Sequence, residues 1–189
     1  MKKFLSKDKG RGSSAGFTLV EAMVAISILS LAVTGPLLIA QKGIGSAIYA
    51  RDQITAFYLA QEAVEYVRNI RDTNRINGTS WMTSLANCKE TGLGETCYVD
   101  ARYDDFTNPS AVQSCPSGVC PKISFDTTNG LYGYGAGLGW NQTAFTRTVS
   151  IDERASPNKE ALISVTVAWS TTLFTPIRTF SVKEYLFNF

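Results

Sequence analysis

The chain turns from polar to apolar at Gly16-Phe17-Thr18-Leu19-Val20-Glu21, and residues 22–40 then carry no charged side chain. A helix over this stretch, at about 1.5 Å rise per residue, covers roughly the 30 Å of a bilayer's hydrocarbon, which predicts a transmembrane helix. Glu21 lies at the edge of that helix. Because a bare carboxylate in hydrocarbon costs about 2.5 to 3.5 kcal/mol on insertion scales, we expect Glu21 to meet a cationic partner.

The segment before the helix is a short basic leader. Its first sixteen residues hold five lysines or arginines and one aspartate, a charge of 5 − 1 = +4. Positive flanks stay on the cytoplasmic side, so the C-terminus is expected outside. The small residues lie before the apolar stretch, whereas an ordinary secretory signal has them after it. Cleavage after Gly16 would therefore keep the helix and free an amino group on Phe17, one helical turn from Glu21.

This leader and the run from Gly16 to Glu21 resemble the class III signal of type IV pilins and of the pseudopilins of type II secretion. The resemblance covers about residues 10–41. It implies that a prepilin peptidase cuts after Gly16 and N-methylates Phe17. It also implies that Glu21 pairs with the N-terminal amine of a neighbouring subunit during filament assembly. The alternative is an unprocessed single-span anchor whose Glu21 reaches to the membrane interface.

Apolar residues keep a helical period beyond the span, at Ile44, Ile48, Ile54, Phe57, Val64 and Val67. This period predicts one helix over about residues 17–72, half in the membrane and half packed on a soluble head. Asn74, Asn77 and Gly78 mark its end. An ordinary amphipathic core helix would pack on its head in the same way, so the period alone does not establish filament assembly.

Gly35 and Pro36 lie inside the span. Proline removes one backbone hydrogen bond and crowds the preceding turn, which predicts a kink. Many pilins have a helix breaker at a similar depth, so the resemblance implies a point where the helix loosens in the filament. The alternative is a static kink that neighbouring helices tolerate.

The rest of the chain predicts β-structure. Apolar and polar residues alternate over 145–151 and 163–169, residues 178–186 make a plausible third strand, and residues 98–103 an edge strand. Connections of about ten residues suit an antiparallel meander with one apolar face on the helix. Arg147 interrupts the apolar face of its strand, and we expect it to pair with a nearby carboxylate in a structural role.

These elements predict an α+β, pilin-like fold in which a long N-terminal helix, transmembrane half and amphipathic half, packs on a small antiparallel β-sheet head. The expected division is a cleaved basic leader over residues 1–16, a transmembrane or filament-core helix over 17–41, an amphipathic helix over 42–73 and a β-rich head over 74–189. The head is large enough for one modest core.

Four cysteines, Cys88, Cys97, Cys115 and Cys120, all lie in the part expected outside, which favours oxidation. Three pairings are open, and the neighbour pairs Cys88 with Cys97 and Cys115 with Cys120 would close short loops. A four-cysteine zinc site fits poorly, because zinc ribbons use closer paired spacings. Free thiols are the remaining alternative.

A glycine-rich patch spans residues 130–140 and carries Tyr132, Tyr134 and Trp140. It lacks the lysine and hydroxyl ending of a phosphate-binding loop, and its spacing misses the dinucleotide pattern. On a flexible loop, the three aromatic residues would contact a neighbouring subunit or a surface ligand. The commoner arrangement is a loop that covers its own sheet, and we favour it.

Composition argues against two other classes of function. The chain has no histidine, which removes Ser-His-Asp, Cys-His and histidine-metal chemistry, so we do not expect an enzyme. Without the leader the charge is 13 − 15 = −2, which gives nucleic-acid binding little electrostatic support. Pseudopilin heads can carry calcium, for which Asp100, Asp104 and Asp105 are conceivable ligands, but no looped calcium pattern appears. We therefore predict neither a metal nor a cofactor.

The resemblance implies a minor pilin or pilus-modifying protein of a type IV pilus-like filament. The protein would be made at the inner membrane as a single-pass precursor and leave it in an extracellular or envelope-spanning filament. Expected partners are other pilin or pseudopilin subunits, prepilin peptidase and the inner-membrane assembly platform. The alternatives are a minor pseudopilin of a type II secretion or competence machine, and a membrane-anchored adhesin that does not polymerise and binds through the aromatic patch.

Overall fold

A computed structural model describes residues 16–89, 96–153, 159–170 and 176–188. Its first element is helix α1, Leu19–Ile76, with 58 residues. The chain divides into two units after Ile48, and α1 contributes residues to both. Two short 3-10 turns, Ala86–Cys88 and Pro116–Gly118, lie in the second unit.

Helix α1 ends in a Schellman motif that explains why it runs four residues past the expected end at 72. Gly78 adopts a φ of +69°, where glycine is favoured. The amide of Thr79 donates to the carbonyl of Asn74 (2.9 Å) and that of Gly78 to Arg75 (3.1 Å). Asn74 was expected to help end the helix. It lies inside it instead, because its buried side chain donates to the carbonyl of Thr83 (2.8 Å) and is satisfied there.

Within the described residues, seven strands form one antiparallel sheet. They are β1 (Cys97–Val99), β2 (Val112–Ser114), β3 (Lys122–Asp126), β4 (Leu131–Gly133), β5 (Trp140–Glu153), β6 (Glu160–Trp169) and β7 (Arg178–Phe187). Strand β5 is central. It pairs with β6 along one edge and with β3 and β1 along the other. Strand β7 pairs with β6, β4 with β3 and β2 with β1.

The α+β prediction is confirmed, and the three strongest strand predictions correspond to β5, β6 and β7. The expected edge strand over 98–103 is wrong in extent and place. It is only Cys97–Val99, and it lies between β2 and β5. The sequence analysis missed β2, β3 and β4, which are three to five residues long and too short for a clear alternation.

The part of α1 after Ile48 lays a stripe of small residues against the sheet. Ala56, Ala60 and Ala63 are fully buried, and Val64 and Val67 pack beside them. Alanine allows a close approach of helix and sheet. The expected apolar face was therefore partly wrong: Ile54 and Phe57 are 56% and 39% exposed, because the larger apolar residues lie beside the stripe of alanines.

Arg147 joins the helix to two strands at the centre of this core. Only 1% of it is exposed. Its guanidinium donates to the carbonyls of Leu59 on α1 (2.9 Å) and Val99 on β1 (2.6 Å). It also pairs with the carboxylate of Glu62, one turn further along α1. The structural carboxylate partner expected for Arg147 is therefore present.

Two disulfides close the neighbour pairs. Cys88 is bonded to Cys97, which ties the turn after α1 to β1. Cys115 is bonded to Cys120 around the second 3-10 turn. All four cysteines are buried. Within the described residues no free cysteine is left, and the arrangement is that of two crosslinks rather than a zinc site.

Arg147→Met is expected to lower the free energy of unfolding by about 3 kcal/mol, because the carbonyls of Leu59 and Val99 lose their buried donor and the partly exposed carboxylate of Glu62 loses its partner. Urea unfolding of the full chain in detergent, followed by fluorescence of the buried Trp81 and Trp169, measures it. Lys183→Met removes an exposed cation and is the matched control. A loss no larger than that of the control would contradict the structural role of Arg147.

Candidate processing and assembly site

The N-terminus of α1 has the Thr-x-x-Glu spacing of a capping box, and of the two reciprocal bonds of that motif only the one accepted by the Thr18 side chain is present among the described residues. Thr18 is the N-cap: its hydroxyl accepts from the amide of Glu21 (3.2 Å), and its carbonyl accepts from the amide of Ala22 (3.1 Å). A threonine followed three residues later by glutamate is the usual form of this motif. Gly16 and Phe17 lie directly before the cap and are exposed. The peptide bond expected to be cut is therefore accessible at the start of a well-formed helix.

The sequence analysis missed the role of Thr18, although the spacing from Thr18 to Glu21 carries the signal. A carboxylate in the first helical turn is favoured by the partial positive charge of the helix N-terminus. This interaction lowers the cost of Glu21 at the edge of an apolar helix. It does not supply the cation.

The side chain of Glu21 makes no hydrogen bond or ion pair within the described residues, as the bonds of its turn involve only its backbone. Unlike the carboxylate of Glu21, the three polar side chains of residues 22–40 are hydrogen bonded within the helix. Ser27 and Ser30 each donate to the carbonyl four residues earlier (2.8 Å), and Thr34 donates to Leu31 (3.3 Å). Their polar groups are satisfied inside the helix, as a segment in hydrocarbon requires. The carboxylate of Glu21 is thus the group that still needs a partner.

The surface of α1 from residue 19 to 51 is exposed throughout, although most of its side chains are apolar. The helix is long and apolar enough to cross a membrane. Soluble monomers rarely expose so long an apolar surface, and such surfaces mark contact with lipid or with another chain. The helix also continues through Pro36, so the expected kink at Gly35 and Pro36 stays a prediction.

The aromatic patch is mostly ordered strand and turn. The flexible loop expected over 130–140 is wrong in part, because Leu131–Gly133 forms β4 and Trp140 begins β5. The ring of Tyr132 lies 5.0 Å from that of Phe125, and the ring of Tyr134 4.5 Å from that of Tyr98. Both tyrosines pack against the core, and burial raises the pKa of Tyr134. A role in interactions with other molecules stays a prediction.

Two of the glycines in this patch leave room for an arginine and a tryptophan. A Cβ on Gly133 would lie 2.2 Å from Nε of Arg102, and one on Gly135 2.3 Å from the ring of Trp140. The guanidinium of Arg102 stacks over that ring at 4.5 Å. Its Nε also donates to the buried Asp100 (2.8 Å), and this hydrogen bonding raises the pKa of Arg102. The glycines therefore serve packing.

Two of the three aspartates considered as calcium ligands are hydrogen bonded to protein groups. Asp100 binds Arg102, and Asp105 accepts from the amide (2.9 Å) and the hydroxyl of Thr107. These bonds from Thr107 lower the pKa of Asp105. No group of three potential metal ligands comes together in the described part of the chain.

One comparison with known proteins identifies this N-terminus. Residues 11–35 match the prokaryotic N-terminal methylation motif, the class III signal of type IV pilins. The match includes Gly16, Phe17, Glu21 and Gly35, and it ends one residue before Pro36. Residues 11–15 of the match lie outside the residues that the structure describes. No curated protein and no solved structure is significantly similar to the chain. The match therefore covers the signal and the start of α1, and it does not extend to the head.

Gly135→Ala is expected to destabilise the head by about 1 to 3 kcal/mol, because the new methyl group overlaps the ring of Trp140. Urea unfolding of the full chain, followed by tryptophan fluorescence, measures the change. Ala136→Ser alters the exposed neighbouring residue and is the control. Equal stability of the two variants would show that the ring of Trp140 moves aside without cost.

Proposed function

We propose that this protein is a structural, non-enzymatic subunit of a type IV pilus-like filament, most like a minor pilin or pilus-modifying protein. The methylation motif and the N-terminal apolar helix fit a membrane-anchored protein of the pilin or pseudopilin kind. The observation that carries the proposal is the carboxylate of Glu21, which has no partner among the described residues and lies at the start of a helix whose apolar residues 19–51 are exposed.

The proposed cycle begins in the inner membrane, with the C-terminus outside. Prepilin peptidase removes residues 1–16, and the amine of Phe17 becomes the new chain end and is methylated. During assembly, the carboxylate of Glu21 pairs with such an amine on a neighbouring subunit. Neighbouring helices then bury one another's apolar surfaces as the subunit leaves the lipid. The assembly platform of the membrane and other pilin or pseudopilin subunits are the proposed partners.

The pairing of Glu21 has a clear energetic reason. The helix dipole stabilises a carboxylate at this position by up to about 1 kcal/mol, which is less than the cost of moving it into hydrocarbon. A cation supplied by another chain makes up the difference only when the two chains lie side by side. Assembly is thus favoured at one register of neighbouring helices.

The alternatives are a minor pseudopilin of a secretion or competence machine and an anchored adhesin. The pseudopilin shares every step above and differs only in the machine it serves. The adhesin would keep its leader and remain monomeric.

Processing is testable by mass spectrometry of the N-terminus. In cells that hold a prepilin peptidase, we expect the chain to begin at Phe17 with a methylated amine. In cells without the peptidase, we expect the full-length chain beginning at Met1. A chain that keeps Met1–Gly16 in both would exclude the filament proposal and favour the anchor.

Glu21→Ala is expected to lower incorporation into sheared filaments by about tenfold or more, because it removes the carboxylate that meets the neighbouring amine. Glu21→Gln is expected to behave alike, since it keeps the shape and removes the charge. Glu65→Ala removes another exposed carboxylate of α1 and is the control. Quantitative immunoblots of filament and membrane fractions measure incorporation, and normal incorporation of both Glu21 variants would contradict the pairing step.

A further inference from the structure

The sheet has a second face, opposite α1, whose chemistry differs from that of the helix. Residues 145, 147, 149 and 151 of β5 are buried toward α1, so residues 146, 148 and 150 lie on the other side. The same alternation places residues 164, 166 and 168 of β6 and 179, 181 and 183 of β7 on that side. These nine positions form three rows across three strands.

Seven of the nine positions carry hydroxyl groups. The rows are Thr146–Ala168–Thr179, Thr148–Thr166–Ser181 and Ser150–Ser164–Lys183. We call the seven serines and threonines the hydroxyl face. Across strands they lie about 4.8 Å apart, and along a strand about 6.8 Å apart. Only one cation and no carboxylate belong to these rows.

Most of these hydroxyls have no partner of their own. Thr166 and Ser181 are hydrogen bonded to each other at 2.8 Å. The other five make no side-chain hydrogen bond within the described residues, and all seven are partly or fully exposed. Each of these five hydroxyls is therefore available both to donate and to accept a hydrogen bond.

An aromatic pair extends the hydroxyl face at one end. Tyr185 and Phe187 lie on the same side of β7, with ring centres 6.5 Å apart and planes inclined by 24°. They are 50% and 48% exposed. Tyr185 stands opposite Leu162, which stands opposite Asp152, and Phe187 stands opposite Glu160, so this end of the face carries two carboxylates beside the aromatic rings. Two large rings exposed side by side on a strand are an unusual use of apolar surface in a soluble head.

We propose that the hydroxyl face and the Tyr185–Phe187 pair together bind a neutral polysaccharide. Flat aromatic rings stack on the C–H faces of sugar rings, and the free hydroxyls donate to and accept from sugar hydroxyls. One cation, Lys183, stands against two carboxylates, Asp152 and Glu160, on this face, which is too little positive charge for a phosphate backbone, whereas a neutral polyol needs none. This proposal locates the polysaccharide-binding surface on the sheet and not on the Tyr132–Trp140 patch.

The size of the surface argues against a second copy as its occupant. From Thr179 to Phe187 along β7 and from β5 to β7 it measures about 10 Å by 27 Å, or roughly 270 Å². A stable protein interface needs about 800 Å² on each partner. The area is enough for a few sugar rings in a row. The binding itself does not depend on assembly, and only its display on a filament rests on the proposed function.

The test uses the full chain in a detergent without a sugar headgroup, and insoluble chitin and cellulose as probes. Depletion of protein from solution measures retention. We expect wild type to bind at least one of the two, and Tyr185→Ser with Phe187→Ser to lower its affinity by about tenfold or more. Thr166→Glu, which places a carboxylate among the hydroxyls, is expected to do the same.

Two matched controls separate this face from general adsorption. Leu138→Ser removes a fully exposed apolar side chain elsewhere, and Thr83→Glu adds a charge at another exposed position. Both are expected to bind like wild type. Absence of wild-type binding to chitin and to cellulose would overturn the proposal, as would an equal loss in the controls. Wild-type dimers that dissociate in the Tyr185 and Phe187 variant would assign the face to a second copy instead. Since the assay needs no filament, its failure would leave the processing and assembly tests unaffected.

Discussion

The constraint on which the rest depends lies at the start of α1, where one acid begins an apolar helix surface that is exposed over residues 19–51. The backbone amide of Glu21 is bonded to the N-cap, and its carboxylate has no partner among the described residues. Lipid covers the apolar surface but supplies no cation. In the proposed filament, neighbouring helices of the same kind supply both, because each brings an apolar surface and the amine that the proposed cleavage frees. The proposed filament follows from this incomplete satisfaction in the monomer.

The head packs on only one face of the second half of α1. Small residues of α1 face the sheet, and Arg147 fixes the helix backbone through the carbonyl of Leu59. Because the sheet contacts α1 through alanines, Ile54 beside them stays 56% exposed and Phe57 39% exposed, with the ring of Phe57 against that of Phe180. The hydrogen bonds of Arg147 set the register of helix and sheet, since a buried guanidinium tolerates few geometries. A large part of the helix surface is thereby left for other contacts.

Sequence reasoning predicted the helix, the central strands and the position of the acid, because each depends on local period or on a motif. It placed the apolar stripe wrongly because it weighed large side chains over Ala56, Ala60 and Ala63, whose burial depends on how closely the sheet approaches. The partners of Arg147 lie 48 to 88 residues away in sequence, so no local pattern identifies them. The glycines of the aromatic patch resemble loop residues in the sequence. Their packing role depends on Arg102 and Trp140, which fill the space that a side chain would take, and no local pattern shows this contact.

A protein that polymerises through a helix must also avoid association through its sheet. Strand β7 is ten residues long and pairs only with β6 among the described residues, which makes it a template for another strand. It carries charges along its length: Glu184 pairs with Arg68 of α1, Arg178 stacks on Tyr49, and Lys183 is exposed. Bringing a second strand alongside would desolvate Lys183 without a partner, which is a usual protection of natural sheet edges. The charge on β7 thus disfavours edge pairing, which fits the proposed association of subunits through α1.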